Sequence, residues 1–137
     1  MSEANKALFR RFVDEVMNSH NPHQVDQLIG EIWTDHNPPL EGPQGREGMK
    51  QMMAAFFSAF PDLNVTIDQL IAEGDIVAGR MTTTGTHQGE FMGINATGER
   101  ITISETHMIR IENGMAVEHW GNSDDLGMMQ QLGVIPT

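Results

Sequence analysis

Cysteine is absent from this 137-residue chain, which excludes disulfide staples, thiolate catalysis and cysteine-ligated zinc. Basic residues are scarce: 8 Lys and Arg stand against 19 Asp and Glu, a formal net charge of −11. Such a surface repels nucleic acid, and no basic cluster overcomes the repulsion. An anionic membrane surface is disfavoured for the same reason. No stretch approaches the roughly 20 apolar residues that a bilayer-spanning helix needs. The opening MSEANKALFRRF carries an acidic residue, Glu3, and lacks a signal peptide's apolar core, so a cytoplasmic location is expected. No HExxH pattern occurs, and no metal is expected.

What is present suits one domain over residues 1–137, because a chain this long buries roughly two-thirds of its unfolded surface. Eleven methionines supply adaptable apolar volume, either as plain core or as ligand-facing surface. Ala7, Leu8, Phe12, Val16 and Met17 recur at three- and four-residue spacing, which predicts an amphipathic helix over Glu3 to Asn18, with Ser2 as its cap. Pro22 opens a short second helix through Ile29. Ile32 to Pro39 reads as extended or irregular, since residues before proline avoid the α region. A Gly- and Pro-rich loop, Glu41 to Gly45, leads to a third helix over Arg46 to Phe60, stopped by Pro61. The period then changes to that of strands: Leu63 to Leu70, Ile76 to His87, Arg100 to Ile111 and Met115 to Asn122. Asn113-Gly114 is a strong hairpin signal. A short helix from Asp124 to Leu132 closes the chain at Gly133. Segregated helices followed by four antiparallel strands predict an α+β fold.

Asp35-His36 before prolines, Phe60-Pro61-Asp62, Gly85-Thr86-His87-Gln88-Gly89-Glu90-Phe91, Glu118-His119-Trp120-Gly121 with Asp124, and Gln131-Leu132-Gly133 occur in this order. Together they resemble the SnoaL-like polyketide cyclases, the ester-cyclase group, from Asn5 to Gly133. The resemblance implies the cone-shaped fold shared with nuclear transport factor 2 and ketosteroid isomerase, with a pocket between helices and a curved sheet. It implies a small hydrophobic molecule as partner and an intramolecular aldol ring closure run by one carboxylate, without metal or organic cofactor. Asp124 matches the carboxylate of the family's last-strand motif, and His107 is the candidate for its pocket histidine. Homodimers or homotetramers are also implied.

Aldol closure removes a proton beside a carbonyl, so it needs a base and a stabilised enolate. Burial raises a carboxylate's pKa toward the working pH. Strict alternation puts Trp120, Asn122 and Asp124 on one strand face, where Trp120 would desolvate the acid and support a flat ring. The competing reading makes Asp124 or Asp125, the latter the better placed, the cap of the closing helix. Trp33, His36, Phe60, His87, Phe91 and Met92 complete the candidate lining, although His36 equally suits a local turn. His107 and His119 meet only if their strands pair suitably. Arg80 and Arg110 either pair on the exposed sheet face or join an Asp-Arg-Asp set like that of limonene-type epoxide hydrolases. The chain has no Tyr, which counts against an enolate held by a phenol. Three functions remain open: a carbon-acid enzyme, a hydrolase without cofactor, and a carrier of an apolar metabolite.

Overall fold

In the computed structural model, residues 2–38 and 42–137 are described. Pro39, at the end of the expected extended stretch, and Glu41, at the start of the expected loop, lie outside them. Helix α1 (Ser2–Arg11) already includes Ser2 and buries Leu8 and Phe9. A π-helical turn over Phe12–Met17 continues it and keeps Val13 and Val16 inward. Asn18 then clamps this end to the sheet: its amide donates to Val65 O at 2.9 Å and accepts from Val65 N at 2.7 Å. A 3₁₀ turn over Pro22–Gln24 leads into α2 (Val25–Leu28), and α3 spans Gly45–Ala59.

Strands β2 (Asn64–Glu73), β3 (Ile76–Thr86), β4 (Arg100–Glu112) and β5 (Met115–Ser123) form the expected antiparallel meander. A fifth strand corrects the sequence reading. Residues Ile29–Asp35 form β1 and pair in parallel with β5, giving the order β1-β5-β4-β3-β2. Nothing local announces this pairing, because its partner lies far along the chain and the burial of β1 does not alternate. The result is a mixed, mostly antiparallel sheet with helices on one face, the cone-like α+β arrangement. Helix α4 (Asp125–Leu132) follows β5 and ends at Gly133, whose φ of 80° is the left-handed conformation of a helix stop. Among the described residues, no helix is long and apolar enough to cross a membrane.

The core has two parts. Leu8, Phe9, Val13 and Val16 pack on Val77 and Met81 of the sheet, together with Leu28, Met49 and Met53. Farther along, Phe60, Leu63, Phe91, Ile101, Ile103 and Met128 form the second part, and Phe56 and Phe57 touch both. Helix α1 sits close to the sheet because Gly79 has no side chain: a Cβ there would meet the Phe9 ring at 2.5 Å. Gly79→Ala must therefore push Phe9 away and should destabilise the fold by about 1–3 kcal/mol. Urea denaturation of the two proteins measures this directly.

Candidate active site

Between the helices and the inner sheet face lies a cavity of about 610 Å³. Its walls are mostly apolar, with Phe12, Met49, Met52, Met53, Phe56 and Met81 among them. Exposed Asn37, Pro38, Met92, Asn122 and Asp125 also line it and mark its mouth. One wall is different. Strand β4 points Ile101, Ile103, Glu105, His107, Ile109 and Ile111 toward the helices, so a carboxylate and an imidazole interrupt an aliphatic row.

These two groups belong to a continuous hydrogen-bonded chain. Asp35 Oδ1 accepts from His119 Nδ1 at 2.7 Å. His119 Nε2 lies 2.8 Å from His107 Nδ1, and His107 Nε2 lies 3.1 Å from Glu105 Oε1. Ser123 donates to Glu105 Oε1 at 2.8 Å, and the Thr83 hydroxyl donates to Oε2. Two strand pairings build this row. Parallel pairing sets Asp35 beside His119, and antiparallel pairing sets His107 opposite Gly121, diagonal to His119. Gly121 is what lets the rings meet, since a Cβ there would lie 2.5 Å from His107 Nδ1 and 2.9 Å from His119 Cε1. Trp33 lies over His119, with ring centroids 6.0 Å apart.

Burial pushes both carboxyls up, but their partners outweigh it. Hydrogen bonding and charge from His107, with the Thr83 and Ser123 hydroxyls, hold Glu105 below the usual glutamate range. His119, the Asn37 N–H and the charge of His107 hold Asp35 below its ordinary value. Both acids are thus held ionised. Filling all three links along the row requires three protons, one more than two neutral imidazoles carry. The closed chain is therefore a proton-loaded state, and its spare proton belongs to the coupled groups together.

The other expected site residues divide sharply. Trp33, Phe60, Phe91, Met92 and Asn122 line the cavity. Asp124 does not: it is exposed and caps α4, accepting from Gly127 N at 2.9 Å. This also replaces Asp125 as the expected cap. Trp120 and Asn122 do share a strand face, but it is the outer one, and Asn122 meets the cavity only at its mouth. Trp120 stacks on His36 at 4.9 Å, under the Arg110 guanidinium. His36 bonds Glu118 at 2.7 Å on that outer face, away from the cavity. Arg110 is held by Glu118 and Asp75 there, and among the described residues no Asp-Arg-Asp set lines the cavity. His87 is fully buried behind Phe60, its Nδ1 accepting from Thr97 N, and it anchors the loop after β3 instead of lining the cavity. Glu105 and Asp35 were missed as site residues. The signal for Glu105 was its place, with His107, in the alternating aliphatic row of β4. Asp35 stood in the Asp35-His36 motif that carried the resemblance, but only the unforeseen β1–β5 pairing brings it to His119.

The family model described as SnoaL-like polyketide cyclase matches residues 7–132. The chain belongs to this family. Two curated relatives are aklanonic acid methyl ester cyclases of Streptomyces. DauD, from strain C5, is 31% identical over 132 residues, covering 92% of this chain and 80% of the relative. DnrD, from Streptomyces peucetius, is 31% identical over 99 residues, covering 72% of this chain and 67% of the relative. Among solved structures, TsrD from Streptomyces laurentii superposes with a TM-score of 0.88 at 32% identity, covering 97% of both chains. This member of the SnoaL-like family is thus homologous to two aklanonic acid methyl ester cyclases.

The depressed carboxyls give the stability a definite pH dependence. Because their folded values lie below the unfolded ones, near 4.3 for Glu and 3.9 for Asp, their contribution is full above those values. It is lost as pH falls through the folded values. The urea midpoint should hold steady down to about pH 5 and drop below about pH 4. Glu105→Gln should lower the midpoint at pH 7 and flatten that acid limb. An unchanged limb in the variant would remove Glu105 from this account.

Proposed function

We propose that this chain is an acid–base enzyme that removes and returns a proton on a small hydrophobic carbonyl compound, with intramolecular aldol cyclisation as the reaction type. The observation that carries this is the pair Glu105–His107, set into an apolar cavity and wired to two further titratable groups. Structural stability alone gives no reason to bury four such groups side by side, since buried ionic groups are seldom better than well-packed apolar ones.

Glu105 Oε2 has one hydrogen-bond donor, Thr83, and retains acceptor capacity for the substrate. A carboxylate held below its ordinary value is a weak base by itself. The imidazole bonded to it offers a second nitrogen, Nε2, to which the proton can move. In the chain with two protons, the substrate's C–H bond breaks, its electron pair stays behind as the enolate, and its proton passes through Glu105 to His107 Nε2. That uptake closes the third link. Once the enolate carbon has attacked the second carbonyl, the chain returns a proton to the new alkoxide. The relatives named as aklanonic acid methyl ester cyclases support the reaction type, while the cavity supports an apolar substrate.

A hydrolase of the Asp-Arg-Asp kind loses ground here, because no Arg or Lys lines the cavity among the described residues. A non-catalytic carrier gains from the capping role of Asp124. One experiment separates it from the enzyme: solvent-deuterium incorporation into hydrophobic ketones and β-keto esters, followed by mass spectrometry. Wild type and Asp124→Asn should exchange at similar rates. Glu105→Gln and His107→Asn should fall by about 100-fold or more while still binding the probes. Equal exchange in all four proteins would reject the acid–base reading, and binding without exchange in wild type would establish the carrier.

A further inference from the structure

Asp35 touches no part of the large cavity, yet it terminates the row of hydrogen bonds that begins there. It lines a second cavity of about 210 Å³ with Gln44, Gly48 and Gln51. Trp33, Pro38, Met49 and Met52 border both cavities and form the partition between them. Through this mainly apolar partition and the sheet edge, the polar connection that the hydrogen bonds draw is Asp35–His119–His107–Glu105. The Asp35 side chain is only 8% exposed, against 14% for His119 and 21% for His107. A carboxylate so placed is expensive unless it is paired and hydrogen-bonded, and here His119 and the Asn37 N–H supply the partners.

We propose that His107, His119 and Asp35 form a proton relay, with Asp35 as its outlet to the second cavity. The inference rests on the acid–base reading above and extends it to how the proton leaves once substrate has displaced water from the large cavity. After uptake from the substrate, His107 Nε2 holds the new proton. The His107 Nδ1 proton crosses the 2.8 Å link to His119 Nε2, and the His119 Nδ1 proton crosses to Asp35. Asp35 passes it to water in the second cavity, which has room for several molecules at about 30 Å³ each. Each ring gains one proton and loses one, so neither accumulates charge. The reverse passage delivers a solvent proton to the product alkoxide and restores both tautomers. Asp35 never meets the substrate, and its role is therefore that of a positioning and relay residue.

The experiment compares wild type, Asp35→Ala and Gly121→Ala in the deuterium-exchange assay, with and without formate. Asp35→Ala should slow exchange by about tenfold or more with probe Kd unchanged, and formate, a carboxylate small enough for the second cavity, should restore it. Gly121→Ala, which wedges the two rings apart, should slow exchange to a similar degree without response to formate. Exchange at the wild-type rate in either variant would overturn the relay. So would slowing of Asp35→Ala that formate leaves untouched, or that follows a parallel loss of probe binding, since either marks a purely structural acid. If wild type exchanges no probe, the acid–base reading falls by itself, and ¹⁵N spectra of the histidine side chains then judge the wire. A protonated His119 Nδ1 in wild type that shifts to the other tautomer in Asp35→Ala supports it. Identical spectra reject it.

Discussion

Two carboxylates are largely buried, Glu105 in the aliphatic wall of the large cavity and Asp35 beside the smaller one, and a charge so placed persists only with close partners. Here the partners are two imidazoles that bond to each other as well as to the acids. Each group lies on a different part of the sheet: Asp35 on β1, His119 on β5, and His107 with Glu105 on β4. The site is therefore a consequence of register. Shifting one strand by a single residue would turn its groups to the opposite face and leave the remaining charges unpaired. Gly121 is the steric condition of the arrangement, because any side chain at that position occupies the space in which the rings meet.

The same strands carry a second polar cluster on the outer face, and the contrast between the two is chemical. Outside, His36, Glu118, Arg110 and Asp75 surround Trp120 with ion pairs and ring stacking. Partly solvated pairs of this kind contribute little each. Arg110 lies among their acids as a permanent cation. Inside, among the described residues, no Arg or Lys lines the cavity, and its imidazole nitrogens belong to the histidine row. A proton on such a nitrogen can be taken up and given away, which suits acid–base chemistry better than a fixed cation would. The apolar walls leave selection of a substrate to shape and to the few polar groups at one end.

Membership of the SnoaL-like family agrees with a cone that encloses a cavity, and on such a fold any chemistry has to be argued from particular side chains on the inner wall. Asp124 illustrates the limit of carrying a motif across by order alone. Its carboxylate is consumed by the N–H of Gly127 at the start of α4, where a short acid complements the helix end. The acid that does face the cavity, Glu105, lies on the neighbouring strand.

Much of the architecture was legible in the residues themselves. The stripe from Leu8 to Val16, the Phe- and Met-rich α3, the Asn113-Gly114 turn and the alternation of β4 are local patterns, set by the geometry of helix and strand. Trp33, Phe60, Phe91 and Met92, named from the sequence as candidate lining, border the cavity. Three things lay beyond local patterns: the parallel pairing of β1 with β5, the face on which Trp120 emerges, and the meeting of His107 with His119. Each depends on contacts between segments far apart in the chain, whose register is set by packing of the whole sheet against its helices. The sequence by itself determined most of the elements, the acidic charge and the family resemblance. Only the tertiary structure decided which acid enters the cavity, because strand alternation allows either face and long-range burial chooses between them.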